Sequence, residues 1–264
     1  MASWSPDSKR LAYQATLTGS RSIALGVLDV GAAHERIVHV PFRWFGNPRW
    51  TADGRHVAVR GRDSEDREGV HIVDVETGSA TPLRLSGKGH DALIAFQTGH
   101  AADVVVRRPD GFYSVDLATR AERQILANAT RMGAFAVSPV DGALAFVRLE
   151  QGVQVLVVAR RGVTADVLRI GPREGIGDVK WSANGTHLYF TRQPFSEKRE
   201  ERVPTLWRVA ADSGQPESLA LRIDGLRDLS PSPDGRFLSF TAGWPSREPW
   251  IVENFLPAAY RSAP

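Results

Sequence analysis

A short segment built around Pro-Asp-Gly recurs along this chain, and a recurrence of that kind constrains the fold more than any single motif. Trp4 opens "WSPDSKRLAY", Trp50 opens "WTADGRHVAV", Val137 opens "VSPVDGALAF", Trp181 opens "WSANGTHLYF" and Leu229 opens "LSPSPDGRFLSF". A degenerate sixth copy, "FQTGHAADVVV", begins at Phe96. The proline positions of the copies are 6, 52, 98, 139, 183 and 233, so the steps are 46, 46, 41, 44 and 50. A repeat of roughly 40–50 residues is the period of a β-propeller blade.

The residue types explain what each copy does. Proline pre-sets φ at the first corner of a turn, Asp accepts hydrogen bonds from nearby backbone amides, and Gly takes the left-handed corner that returns the chain antiparallel. The aromatic before the turn and the apolar run after it then read as two paired strands. These Pro, Asp and Gly residues are architectural. A third strand, a second turn and a fourth strand follow, as in "GVHIVDV", "ETGS" and "ATPLRL" of the second repeat. Four short antiparallel strands make a blade. No window carries sustained helical spacing, so helix content should be low.

The expected fold is therefore all-β: a six-bladed β-propeller with four antiparallel strands per blade, in preference to seven blades. Its 264 residues over six repeats come to 44 per blade, which leaves no room for a second domain. The blades run approximately 1–46, 47–92, 93–135, 136–178, 179–227 and 228–264. With 24 Gly, 16 Pro and 42% hydrophobic residues, the chain has both the turns and the core this demands. The last repeat stops after its third strand, "WIVENF", so either the tail "LPAAYRSAP" or a segment before residue 1 is expected to complete the blade, and the chain reads as a domain of a longer protein.

The hairpins Trp4 to Tyr13, Trp50 to Val59, Trp181 to Phe190 and Ser232 to Phe240 resemble the "WSPDGKxIAF" repeat of TolB-like propellers, also called PD40 or WD40-like repeats. The resemblance spans essentially the whole chain. It implies the fold and leaves function open, because the same repeat serves periplasmic TolB, prolyl-oligopeptidase-type peptidases, oligogalacturonate lyases and sensor domains fused to bacterial kinases or transcription regulators.

Strand order places the Pro-Asp-Gly turns on one side of the disc. Loops joining strand two to three, and loops joining successive blades, share the other, where propeller ligands usually meet the channel mouth. The blade-joining segments read "FRWFGNPR", "SGKGHDA", "NATRMGA", "GPREGIGDVK" and "RIDGLRD". The candidate ligand- or partner-binding residues come from them: Arg43, Trp44, Arg49, Lys88, His90, Arg131, Arg173, Lys180 and Arg227. Cations converging on one channel would add into a positive potential that favours an anionic ligand or acidic peptide. Asp91, Glu174, Asp178, Asp224 and Asp228 lie in the same segments, and ordinary solvated surface is the competing reading. Trp44 either forms a lip at the mouth or packs between blades. The charged stretch "TRQPFSEKREERVP", residues 191–204, reads as a solvated loop or a docking flap.

Catalytic signatures are missing from the sequence: there is no G-x-S-x-G, H-E-x-x-H, Walker or G-x-G-x-x-G motif. The seven histidines, at 34, 39, 56, 71, 90, 100 and 187, are scattered over blades, so no metal site and no cofactor are expected. No basic stripe interleaved with aromatics supports nucleic-acid binding, and no apolar run of about 18 residues supports membrane insertion. Cysteine is absent, which fits either side of a bacterial inner membrane; the extracytoplasmic side is favoured. The expected role is a monomeric, non-catalytic binding, scaffold or sensor propeller for a protein, peptide or anionic ligand. The alternative is a propeller hydrolase or lyase using carboxylates such as Asp178 and Asp228, with calcium as an option, or the propeller of a peptidase lacking its catalytic domain.

Overall fold

A computed structural model of the chain describes residues 2–17, 22–83, 92–96, 103–108, 110–116, 119, 121–127, 132–212, 214–243 and 248–253. They divide into two compact units, Met1–Asn128 and Ala129–Pro264. The first holds three four-stranded antiparallel sheets: β1 (Ala2–Trp4), β2 (Arg10–Thr16), β3 (Ile23–Asp29) and β4 (His34–Val38); β5 (Phe42–Trp50), β6 (His56–Asp63), β7 (Glu68–Asp74) and β8 (Ala80–Leu83); β9 (Ala92–Phe96), β10 (Asp103–Arg108), β11 (Gly111–Asp116) and β12 (Glu122–Ala127). The second holds β13 (Met132–Val137), β14 (Leu144–Glu150), β15 (Val153–Arg160) and β16 (Val163–Ile170); β17 (Glu174–Trp181), β18 (His187–Pro194), β19 (Thr205–Ala210) and β20 (Glu217–Arg222); and a sheet of β21 (Arg227–Pro231), β22 (Phe237–Ala242) and β23 (Glu248–Glu253). Strands pair in chain order within every sheet, the blade topology expected from the repeat. The only helix among the described residues is one 3-10 turn, Arg199–Glu201. The tail expected to complete the sixth blade lies outside the described residues.

The hairpins form as their residues dictate, with one participant the Pro-Asp-Gly pattern does not advertise. The hydroxyl before the proline position bridges the turn: Ser232 Oγ donates to Asp234 Oδ1 at 2.5 Å and accepts the Phe237 amide at 2.9 Å. Ser5 makes the same pair of bonds with Asp7 and Arg10. Gly235 sits at φ 71° and Gly54 at 65°, the left-handed corner, and the first blade places Ser8 there at φ 59°.

Cores lie between neighbouring sheets. Strands two and three of a blade are covered on both faces and read as continuous apolar runs, as in Leu144–Val147 of β14 and Val155–Ala159 of β15, all buried. Outermost β20 alternates instead, with Ser218, Ala220 and Arg222 exposed. Leu156, Leu188 and Phe190 join Trp181 in one such cluster, each side chain contributing about 1.5–3 kcal/mol by leaving water.

First strands carry a device of their own. In β17, Ile176 pairs with Arg192 and Val179 with Phe190, so three steps on one strand meet two on the other. The same one-residue excess occurs in β5 (Gly46 to Arg49), β13 (Met132 to Phe135) and β21 (Arg227 to Ser230), and β9 carries one between Leu93 and Ala95. Such bulges kink the strand and release backbone groups from the ladder.

Candidate functional site

The bulges decide where the predicted site residues fall. The sequence reading puts these residues in loops, but the first strands start earlier: Arg43, Trp44 and Arg49 lie within β5, Lys180 within β17 and Arg227 at the start of β21, leaving Arg173 in a connector. Polar and glycine residues of a bulged strand break the alternation by which a strand is recognised. Lys88, His90 and Arg131 lie outside the described residues.

In the first unit an extra residue between Phe42 and Trp44 flips the alternation, so Phe42 and Phe45 both point inward while Trp44 is 47% exposed. Of the two adjacent aromatics, Phe45 packs and Trp44 faces solvent. Arg43 reaches Asp66 at 3.8 Å, and Arg49 Nη1 donates to the Pro48 carbonyl at 2.9 Å. Behind them lies a buried polar cluster that the sequence reading missed. Asp63 accepts the Arg67 amide at 2.9 Å and its Nε at 2.8 Å, and His71 Nε2 stands 3.7 Å from the same carboxylate with its ring edge-on to Phe42. Burial pushes the His71 pKa below its ordinary value, and the Asp63 charge only partly offsets this. Burial acts on Asp63 in the upward direction, yet the Arg67 backbone and guanidinium hold it below the usual carboxylate range.

In the second unit the bulge residues brace neighbouring blades. The Asp178 amide, freed from the ladder, donates to Thr191 Oγ1 at 2.9 Å. Asp178 Oδ1 accepts from the Val179 amide at 3.0 Å and from Lys180 Nζ at 2.9 Å, and Oδ2 accepts from the Leu229 amide in the next blade's bulge at 2.6 Å. Both oxygens of this candidate catalytic carboxylate are thus committed to structure, and Lys180 is paired. Asp228 adopts a left-handed φ of 56° and lies 4.0 Å from Arg227 Nε.

Connectors and strand-two-to-three loops are knitted together, as strand order requires. The Phe195 amide donates to the Arg173 carbonyl at 2.8 Å, Gly243 to Asp224 at 2.8 Å and, in the first unit, Ser64 to Pro41 at 3.0 Å. On this side of the second unit lies a cleft of about 410 Å³ lined by Gln193, Arg202, Pro204, Asp224, Gly225, Leu226 and Arg227. It joins the charged 191–204 stretch to the candidate Arg227. That stretch is braced: Arg202 donates through Nε to the Ser196 carbonyl and through Nη2 to that of Glu197 at 3.1 Å, while Ser196 Oγ donates to Glu201 at 2.6 Å. Arg227 Nη1 donates to the carbonyls of Gly225 at 2.7 Å and Gly243 at 3.2 Å. Carbonyl clamps orient this guanidinium, and Asp228 stands 4.0 Å from its Nε. Among the described residues, no group of three His, Asp or Glu side chains could hold a metal ion.

No family model matches the sequence, and no curated protein sequence matches it. Solved structures do. TolB from Acinetobacter baumannii superposes with a TM-score of 0.71 at 18% identity, over 95% of this chain and 62% of that one. A protein described as TolB from Agrobacterium tumefaciens gives 0.67 at 16%, over 97% and 90%. An oligogalacturonate lyase from Vibrio parahaemolyticus gives 0.62 at 15%, over 97% and 77%. The chain therefore spans under two thirds of the first of these proteins. At such identities the likeness carries the fold: this is a six-bladed β-propeller of the TolB-like type, as the repeats imply.

Proposed function

We propose that the chain is a binding propeller that takes a protein or peptide on the side bearing its blade connectors, with an anionic group of that partner seated in the Arg202–Arg227 cleft. One observation carries this reading. Two arginines from separate segments line one cleft, and each is already oriented by backbone carbonyls, so little side-chain ordering remains for binding to impose. In the lining the two arginines outnumber Asp224, and Asp228 stands 4.0 Å from Arg227 Nε. TolB among the fold neighbours is consistent with a protein partner. The lyase reading has support from another neighbour, but it loses Asp178, whose Oδ1 accepts from Val179 and Lys180 of its own strand and whose Oδ2 accepts from Leu229 of the next blade.

Titration with an acidic peptide at low and moderate salt tests the proposal. Binding should weaken steeply as salt screens exposed charge beyond about 8–10 Å. Arg202→Gln and Arg227→Gln should each cost about tenfold or more in affinity, the worth of a charge-assisted hydrogen bond. Affinity that ignores both substitutions and the salt would defeat it.

A further inference from the structure

Next to the cleft stands an aromatic side chain that the fold holds in place yet leaves in solvent. Phe195 is 60% exposed. Its amide is fixed on the Arg173 carbonyl, and its ring lies over Gly175, where a β-carbon would fall 2.6 Å from Phe195 Cζ. Glycine at 175 is thus what allows the ring to lie there. Gly175 pairs directly with Gln193, and Gln193 forms a wall of the cleft. The apolar platform and the arginine cleft are therefore neighbours that meet at the Gly175–Gln193 strand pair. Arg173, also exposed, adds a third cation on the platform side.

We infer that the cleft and the Phe195 platform form one composite site for an extended peptide segment carrying an apolar side chain two positions from a carboxylate. This rests on the binding-propeller reading and names its occupant. Residues i and i+2 of an extended chain project to the same side about 6.5–7 Å apart, so one peptide segment can present both groups to two adjoining subsites. Charge complementarity selects the acidic partner: Arg173, Arg202 and Arg227 stand against Asp224 and Asp228, the latter 4.0 Å from Arg227 Nε. A rigid exposed aromatic beside a pocket is the usual anchor of a peptide interface. The Gln193 amide, at the boundary, can pair with the peptide backbone between the two side chains.

Three synthetic peptides, titrated calorimetrically into the whole chain, provide the test: one with leucine and glutamate two positions apart, one with the leucine changed to serine, and one with the glutamate changed to glutamine. The first should bind, and each change should weaken it about tenfold or more, the loss of one anchor. With Phe195→Ser the first two peptides should become equal while the glutamate still matters; with Arg227→Gln the glutamate should cease to matter. Since Phe195 is exposed, thermal unfolding of Phe195→Ser should match the parent. If Phe195→Ser leaves the leucine preference intact, the composite site is wrong and the anionic cleft stands. Should no peptide respond to either substitution, both fall. Tighter binding of an acidic oligosaccharide, dependent on Phe195, would overturn the peptide assignment.

Discussion

Asp178 Oδ2 accepts the Leu229 amide at 2.6 Å, which joins the bulge of one blade to the bulge of the next. The bulge in β21 releases that amide from its own ladder, and Leu229 is buried, so water cannot replace the carboxylate. Asp178→Ala should therefore cost about 1–3 kcal/mol, the penalty of an unsatisfied buried donor. Asp178→Asn keeps an acceptor oxygen and should recover part of the loss. Urea denaturation of the two variants distinguishes this brace from a catalytic carboxylate, which could be replaced at no cost in stability.

The hairpin corners make a second prediction. Gly235, at φ 71°, has open space around it, so Gly235→Val would suffer from backbone conformation alone, at about 1–3 kcal/mol. Gly171 also has open space but an ordinary backbone, and Gly171→Val should change stability by less than about 0.5 kcal/mol. Equal melting temperatures for the two would contradict the turn assignment.

Acid should loosen the protein well before its carboxylates titrate. Burial lowers the pKa of His71, and burial followed by the nearby Arg208 charge lowers that of His187, both from 6.5. Since the folded values lie below the unfolded one, the unfolded chain takes up protons first as pH falls through 6.5, and stability present above that pH is lost below it. Asp63 opposes the effect at His71, and Arg67 reinforces it. Urea midpoints measured roughly one pH unit either side of 6.5 should be lower on the acid side. The difference should shrink in a His71→Gln, His187→Gln double variant; a midpoint that rises on the acid side would refute the sign.

Trp50 Nε1 donates to the Ser3 carbonyl at 3.0 Å, and Trp181 Nε1 to the Ala136 carbonyl at 3.2 Å, in both cases across to the preceding blade. Arg10 also stacks over the Trp50 ring at 4.7 Å. Trp50→Phe keeps most of the apolar bulk and loses the donor, so about 1–2 kcal/mol should go, chiefly from the orphaned carbonyl. A variant as stable as the parent would mean that only the ring's volume matters.

The blade architecture was legible because its turn residues are chemically specific: a left-handed corner wants glycine, and Asp234 has a defined acceptor role. The bulges were not, since the extra positions are filled by residues as different as Asn47-Pro48, Gly133-Ala134, Gly177-Asp178 and Asp228-Leu229. Without the bulge the phase of β5 cannot be set, and so Trp44 and Phe45 could not be sorted into solvent and core. Arg227 was picked out from its blade connector, but Arg202 was hidden in a charged run whose bracing depends on carbonyls no residue type reveals. Phe195 could have been suspected as the one aromatic in that run.

The tryptophan contacts carry a consequence for how such a chain can change over time. Ser3 and Ala136 occupy equivalent positions, one residue before the hairpin anchors Trp4 and Val137, and each is met through its main-chain oxygen. Every amino acid supplies that oxygen, so the indole bond itself makes no demand on the adjoining repeat's side chain, whereas the Ser3 hydroxyl on the Trp50 amide and the Arg10 stack on its ring do. For that one bond, a repeat can be duplicated without a matched substitution next door, provided it keeps its own indole and the neighbour keeps its backbone course. The three copies that open on tryptophan, at 4, 50 and 181, accordingly stand in one chain with others that open on Phe96, Val137 and Leu229.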